Sequence, residues 1–388
     1  MKIEYSKKIK QLPPYLFAEI DRLKEEYKSK GNEVISVGIG DPDLPTPDVI
    51  IDALNSAARD SRNHQYPSYD GLLVFRQKIS DWFIKRYNVT LSPQDEILSL
   101  IGSKEGIGHF PFAFVDRDDH VLVPDPGYPV YRSGTIFAEG IPYYMPLLKE
   151  NNFLPDLSAI PNDVKKSAKL MFLNYPNNPT SAVADESFFK SVVEFAKENN
   201  IIVAHDAAYN ELYFDDNKPL SFLQIEGAMD IAVEFHSLSK TFNMTGWRIG
   251  FAAGNKDIIK GLGRIKSNLD SGIFQAVQYA AIAALENYEQ LNRTNREIFQ
   301  KRRDYACKRL DKLGWKYLKP QATFYLWIET IKGYDSKKMA TKFLQDEGIV
   351  VTPGVGFGQA GEGYIRMALT VDVKILEKVF NKIENIKW

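Results

Sequence analysis

The residues best suited to chemistry stand together in Ser237-Leu-Ser-Lys-Thr-Phe-Asn-Met-Thr-Gly-Trp-Arg248, which follows an apolar run. Lys240 lies just after Ser237 and Ser239, and Arg248 follows eight residues beyond that lysine. A lysine amine condenses with an aldehyde where its surroundings favour the neutral form. Ser237, Ser239 and Arg248 are donors suited to a nearby phosphate. A solvated polar loop after a strand would explain Ser-x-Ser-Lys by itself, and the fixed step to Arg248 argues against it.

Four further segments are candidates of less weight. Asp206-Ala-Ala-Tyr209 ends another apolar run. A carboxylate at a buried strand end is costly unless a cation pairs with it. A protonated pyridine nitrogen would be such a cation, and the pairing would keep the ring an electron sink. Tyr209 and Asn178 could then donate to a ring oxygen, although an isolated Asp-x-x-Tyr reads better as a helix N-cap. Gly102-Ser103-Lys104-Glu105-Gly106 joins a strand-like run to a helix. Amides at such a start bind phosphate or simply cap the helix. Arg366 sits inside the apolar Tyr364-Ile-Arg366-Met-Ala-Leu. Buried there it needs an anion, either a substrate carboxylate held by both nitrogens or an internal salt bridge. Tyr128, after Asp125-Pro-Gly, is an aromatic that could stack on a flat ring or fill the core.

Elements of a definite kind must position these groups. Short apolar runs at 120–123, 169–173, 201–205, 232–236 and 249–253 alternate with helical patterns such as 185–199. This predicts an α/β fold with a mostly parallel sheet. The turn-rich segments after 123, 173 and 205 then fall at carboxyl ends of strands, where open α/β sheets collect ligands. A long charged helical stretch at 286–313 precedes strand-like pieces within 314–328 and 348–369. These predict a smaller α/β domain, with a helix at 15–30 packed onto it. The expected division is an N-terminal arm at 1–45, a large domain at 46–287 and a small one at 288–388.

The chain has 388 residues, 44% of them hydrophobic, which supports a large core in two packed domains. Its 49 basic and 50 acidic residues nearly cancel, so no nucleic-acid or membrane-surface partner is expected and an anion must be caught locally. The one cysteine, Cys307, forms no internal disulfide and no zinc site, which points to a reducing compartment and no metal. With neither a signal-peptide pattern nor an apolar run of membrane-spanning length, a cytoplasmic location is expected.

Taken in order along the chain, these motifs resemble those of the fold-type-I, pyridoxal-phosphate (PLP) dependent aminotransferases of class I/II, over nearly its whole length. The resemblance implies PLP as cofactor, with Lys240 as its Schiff-base lysine and Asp206 as partner of the pyridine nitrogen. It makes Asn178 and Tyr209 the ring-oxygen donors. It assigns the phosphate to Ser103, Lys104 (through its backbone), Ser237, Ser239 and Arg248, and the ring face to Tyr128. Arg366 becomes the α-carboxylate clamp, helped by the backbone at Gly40. Tyr66, in Tyr66-Pro-Ser-Tyr-Asp-Gly71, matches a tyrosine that reaches the neighbouring subunit's phosphate, which implies a homodimer with shared sites. The family's Asn-Pro-Thr-Gly reads Asn178-Pro-Thr-Ser181 here, and serine is strained at positive φ.

Within the family, the segments around Leu12-Pro-Pro, Lys240–Arg248, Asp270-Ser-Gly-Ile-Phe274 and Val351-Thr-Pro-Gly are most similar to the LL-diaminopimelate aminotransferases. The activity implied is ping-pong transfer of an amino group to 2-oxoglutarate. Tyr15, Lys266, Asn268 and Asp270 are then candidates for the far ammonium and carboxylate of the donor. Spacing alone leaves aspartate, alanine and aromatic amino acids open as donors. A carbon–sulfur β-lyase would use the same lysine and aspartate. A PLP-sensing regulator would need an added DNA-binding module, and the motifs begin within forty residues of the start.

Overall fold

The computed structural model describes residues 1, 3–12, 16–29, 31 and 33–388, and the backbone alone at 16–21 and 23. The helix Leu16–Ser29 leads to β1 (Ile35–Ser36). The central sheet follows, with β2 (Ile97–Leu100), β3 (His120–Asp125), β4 (Ile141–Pro146), β5 (Ala168–Leu173), β6 (Ile202–Asp206), β7 (Ala232–Ser237) and β8 (Gly250–Gly254). Its order is β2-β8-β7-β6-β5-β3-β4. Strands β7, β6, β5, β3 and β4 run parallel, and β8 runs antiparallel to both its neighbours. Between β7 and β8 the chain turns back through the short helix Leu238–Thr241 and the turn Thr245–Trp247 instead of crossing over the sheet. An antiparallel neighbour is the outcome of such a return.

Strands β5, β6 and β7 are buried over almost their whole length, as expected of parallel strands covered on both faces. One face packs on Phe75, Phe83, Phe189 and Val192, the other on Phe110, Tyr131 and Leu262. The chain order reverses between β3 and β5, since β4 lies outward of β3 and β5 to β7 lie on its other side. The carboxyl ends of β3, β5, β6 and β7 therefore open onto one edge at the switch point, the usual place for a ligand.

A second sheet has the order β12-β13-β10-β9. It is built from β9 (Tyr317–Leu318), β10 (Tyr325–Glu329), β12 (Thr352–Pro353) and β13 (Tyr364–Ala368), while β11 (Ile349–Val350) pairs in parallel with β1. Its own core includes Phe299, Leu326, Phe343, Ile365 and Phe380. The charged stretch anticipated at 286–313 is the helix Tyr288–Leu313; Glu286 instead ends the preceding helix Gln275–Glu286, with Asn287 as the joint. Ser181 does adopt the strained geometry, at φ 64°. Its hydroxyl donates to the Tyr325 carbonyl at 2.8 Å and meets the Thr323 hydroxyl at 2.8 Å, two bonds that glycine would lack. Among the described residues, no helix is long and apolar enough to cross a membrane.

Candidate active site

One cavity of about 350 Å³ lies where the edge of the central sheet meets the second sheet. Its walls include Gly40, Ser103, Lys104, Tyr128, Asn178, Asp206, Tyr209, Ser237, Ser239, Lys240, Arg248 and Arg366. Strand ends supply most of them. Asp206 ends β6, Ser237 ends β7, and Lys240 sits on the one-turn helix directly after it. Ser103 opens the helix Ser103–His109 after β2, and Arg366 stands in the middle of β13.

The Lys240 amine donates to the Gly40 carbonyl at 3.0 Å. Burial, aided by the positive charges of Arg248 and Arg366, brings its pKa down to about 8, against the opposing pull of Asp41 and Asp206. This is the direction that frees a lysine for attack on a carbonyl. Asp206 is buried, and that burial raises its carboxyl pKa. The hydroxyl of Tyr131 donates to its Oδ2 at 2.8 Å, and the backbone amide of Ala208 reaches Oδ1 at 3.3 Å. Both partners are neutral. A carboxylate has about four acceptor sites, so it keeps capacity for a cationic donor in the cavity.

Arg366 is buried and donates to Asn178 Oδ1 at 2.7 Å and to the Gly38 carbonyl at 2.6 Å. Its guanidinium lies 4.2 Å from the ring centre of Tyr325 and 4.6 Å from that of Phe357. Arginine only donates, so the atom of Asn178 that it meets is oxygen, and the amide nitrogen remains to donate. Burial lowers the Arg366 pKa, and the phenols of Tyr325, Tyr209 and Tyr128 oppose that shift. Tyr209 meets the hydroxyl of Tyr325 at 2.9 Å.

At the other end, Arg248 takes a left-handed backbone, φ 54°, and donates to the Thr245 carbonyl at 2.7 Å. Gly102 lets it approach: a Cβ there would lie 2.2 Å from its Nη2. Ser237 and Ser239 stand beside it on the cavity wall, and the Lys104 ammonium lies 5.8 Å from the ring centre of Tyr128. The cavity thus has a cationic, hydroxyl-lined end, a buried carboxylate, a flat aromatic and a second guanidinium. The donor set fits a ligand with an anionic group at each end and a protonated ring nitrogen between.

Other expected residues fall elsewhere. Tyr66 is 88% exposed and does not line the cavity of its own chain. Lys266 does not line it either: it is fully buried, with its ammonium 2.6 Å from Asp270 Oδ1, because an interior ammonium needs a nearby anion. Asp270 Oδ1 also accepts from the Gly272 amide at 2.8 Å. Asn268 lines an adjoining, mostly apolar cavity of about 750 Å³ that shares Lys104 and Arg248 with the first. Tyr15 lies outside the described residues. Tyr131, Tyr325 and Asn174, whose amide donates to the Asp206 carbonyl at 2.7 Å, escaped sequence reasoning. Asn174 carried the one clear signal, its place in the turn-rich segment after 173.

Residues 32–383 match the family described as aminotransferase class I and II, and the chain belongs to that family. It is 52% identical over 378 residues to an LL-diaminopimelate aminotransferase of Desulforudis audaxviator, covering 97% of this chain and 96% of that one. The LL-diaminopimelate aminotransferase of Aquifex aeolicus is also 52% identical, over 384 residues and 99% of both chains. Among solved structures, substrate-bound BacF from Bacillus subtilis superposes with a TM-score of 0.94 at 38% identity, over 99% of this chain and 98% of that one.

Proposed function

We propose that this aminotransferase uses PLP, takes its amino group from LL-diaminopimelate and delivers it to 2-oxoglutarate. The observation that carries the cofactor reading is a single cavity joining a lysine with pKa lowered to about 8, a buried aspartate and two guanidinium groups. The donor reading rests on the relatives, which are 52% identical over almost the full chain.

When bound, PLP supplies an electron sink for the pair released at the substrate α-carbon. Lys240 would hold the cofactor through its aldehyde, and its Nζ, on the cavity wall with a lowered pKa, would serve as the base for the α-proton. Asp206 keeps the ring nitrogen protonated, and Tyr131 orients its carboxylate. Tyr209 Oη and Asn178 Nδ2 donate to the ring oxygen, and Tyr128 covers a ring face. Ser237, Ser239, Arg248 and the backbone at Ser103 and Lys104 take the phosphate. Arg366 and the Gly40 backbone hold the α-carboxylate, which fixes the bond that breaks.

Tyr66 would complete the phosphate site of a neighbouring subunit in a homodimer. Its exposure beside the exposed Tyr69, Leu73, Val74 and Phe274 supports that reading. Asn268, on the wall of the adjoining cavity, and Tyr15 remain candidates for the distal end of the donor, and Lys266 would act there through the Asp270 loop. The core around the second sheet draws most of its residues from 299–386 with Val37, which supports the division at 45 and 287, while Tyr209, Leu212 and Phe214 of the larger domain pack into it. We place the enzyme in the cytoplasm. The test is kcat/KM for a panel of amino donors with 2-oxoglutarate. LL-diaminopimelate should exceed aspartate, alanine and phenylalanine by roughly 10²-fold or more, since a site built for a distal polar group rejects donors lacking it. Equal efficiency with aspartate would remove the diaminopimelate reading. Pyruvate release from cystathionine as the main activity would make the chain a β-lyase.

A further inference from the structure

We propose that Tyr325 is a positioning residue that joins the carboxylate clamp to the ring-oxygen donor: it gives its phenolic proton to Tyr209, so that Tyr209 keeps its own for the cofactor, while its ring supports Arg366. The inference rests on the reading of the cavity given above. Tyr325 is 2% exposed and still lines the cavity. On β10 it stands opposite Ala368 of β13, two residues along from Arg366. The Ser181 hydroxyl fixes its carbonyl.

Each side of this phenol meets a different functional group. The ring face lies 4.2 Å from the Arg366 guanidinium carbon. The hydroxyl lies 2.9 Å from that of Tyr209. It also lies over Gly40, where a Cβ would stand 2.0 Å from it, and the Gly40 carbonyl receives the Lys240 amine. The absence of a side chain at Gly40 is what admits the hydroxyl.

The direction of the tyrosine pair follows from proton counting. Each phenol has one proton and two lone pairs. If Tyr209 donated to Tyr325, it would turn only lone pairs toward an anionic ring oxygen, which repels them. Donation from Tyr325 leaves the Tyr209 proton for that oxygen and polarises its O–H bond, so the second bond is strengthened. Phenylalanine at 325 would remove the proton and keep the ring under Arg366. Leucine would remove both.

A double-mutant cycle separates this role from a packing role. The apoproteins of wild type, Tyr325→Phe, Tyr209→Phe and the double variant are titrated with PLP. Tyr325→Phe should weaken PLP binding about fivefold, the effect of one neutral hydrogen bond. In the Tyr209→Phe background the same change should alter binding by less than about twofold, because the two residues act as one unit. The KM for the amino donor should stay within about twofold in Tyr325→Phe and rise about tenfold in Tyr325→Leu, which loses the cation–π contact. An equal effect in both backgrounds would overturn the proposal, as would unchanged PLP affinity in Tyr325→Phe. The phenylalanine cycle decides the matter even if Tyr325→Leu does not fold. Failure of wild type to bind PLP at Lys240 would defeat the site reading itself, an outcome distinct from an additive cycle.

Discussion

The lowered pKa of Lys240 gives the sharpest quantitative expectation. An ordinary lysine titrates at 10.5 and this one at about 8. At pH 7 the neutral fraction is then about a tenth, against ~0.03% for an ordinary lysine, so the reactive form is roughly 300-fold more abundant. Raising the pH from 7 to 9 should lift that fraction about tenfold, to roughly nine-tenths. The assay is a brief pulse of a small uncharged acylating reagent on the apoprotein across a pH series. Peptide mass spectrometry then reads labelling at Lys240 against exposed lysines of the same chain. The midpoint at Lys240 should lie near 8. Asp41→Asn should lower it, because Asp41 favours the ammonium, and Arg366→Gln should raise it, because Arg366 opposes the ammonium. A midpoint at 10 or above, or an upward shift in Asp41→Asn, would refute the electrostatic account of the site.

Three further outcomes follow from the geometry. Asp206→Asn keeps the shape and loses the charge, so PLP should still bind while kcat falls roughly 10²–10⁴-fold in steady-state assays; turnover near wild type would contradict the electron-sink role. If Tyr66 serves the neighbouring site, mixing inactive Tyr66→Ala with inactive Lys240→Ala under conditions of subunit exchange should restore activity, because one site of each mixed dimer has both residues; no recovery despite proven exchange counts against sharing. Ser181→Ala removes both hydroxyl bonds at a left-handed position and should cost about 1–2 kcal/mol in denaturant unfolding, with Ser181→Gly costing less because glycine tolerates that backbone; an undiminished Ser181→Ala would show those bonds to be energetically idle.

Much of the scaffold was legible because buried parallel strands leave continuous apolar runs. The runs at 169–173, 201–205 and 232–236 lie within β5, β6 and β7 to within a residue or so at each end. The placement of Asp206 and Lys240 on the cavity wall was legible for the same reason, since one ends a strand and the other closely follows one. The reversed direction of β8 was not, because the pattern of its side chains carries no strand direction. Tyr131 and Tyr325 were hidden among the 20 tyrosines, since a buried tyrosine looks like core until its hydroxyl partner is seen across the fold. Lys266 was legible only in part. Its i,i+4 spacing to Asp270 was visible, and a helical ion pair is what that spacing supports.

The central claim is that Lys240 holds PLP and gives it up to an amino donor. Borohydride reduction of the holoenzyme followed by peptide mapping tests it directly, before and after addition of LL-diaminopimelate without oxo acid. The expected result is cofactor fixed to the peptide containing Lys240 before addition, and loss of that label afterwards. Label on another lysine, or label at Lys240 that the donor does not diminish, would contradict the account.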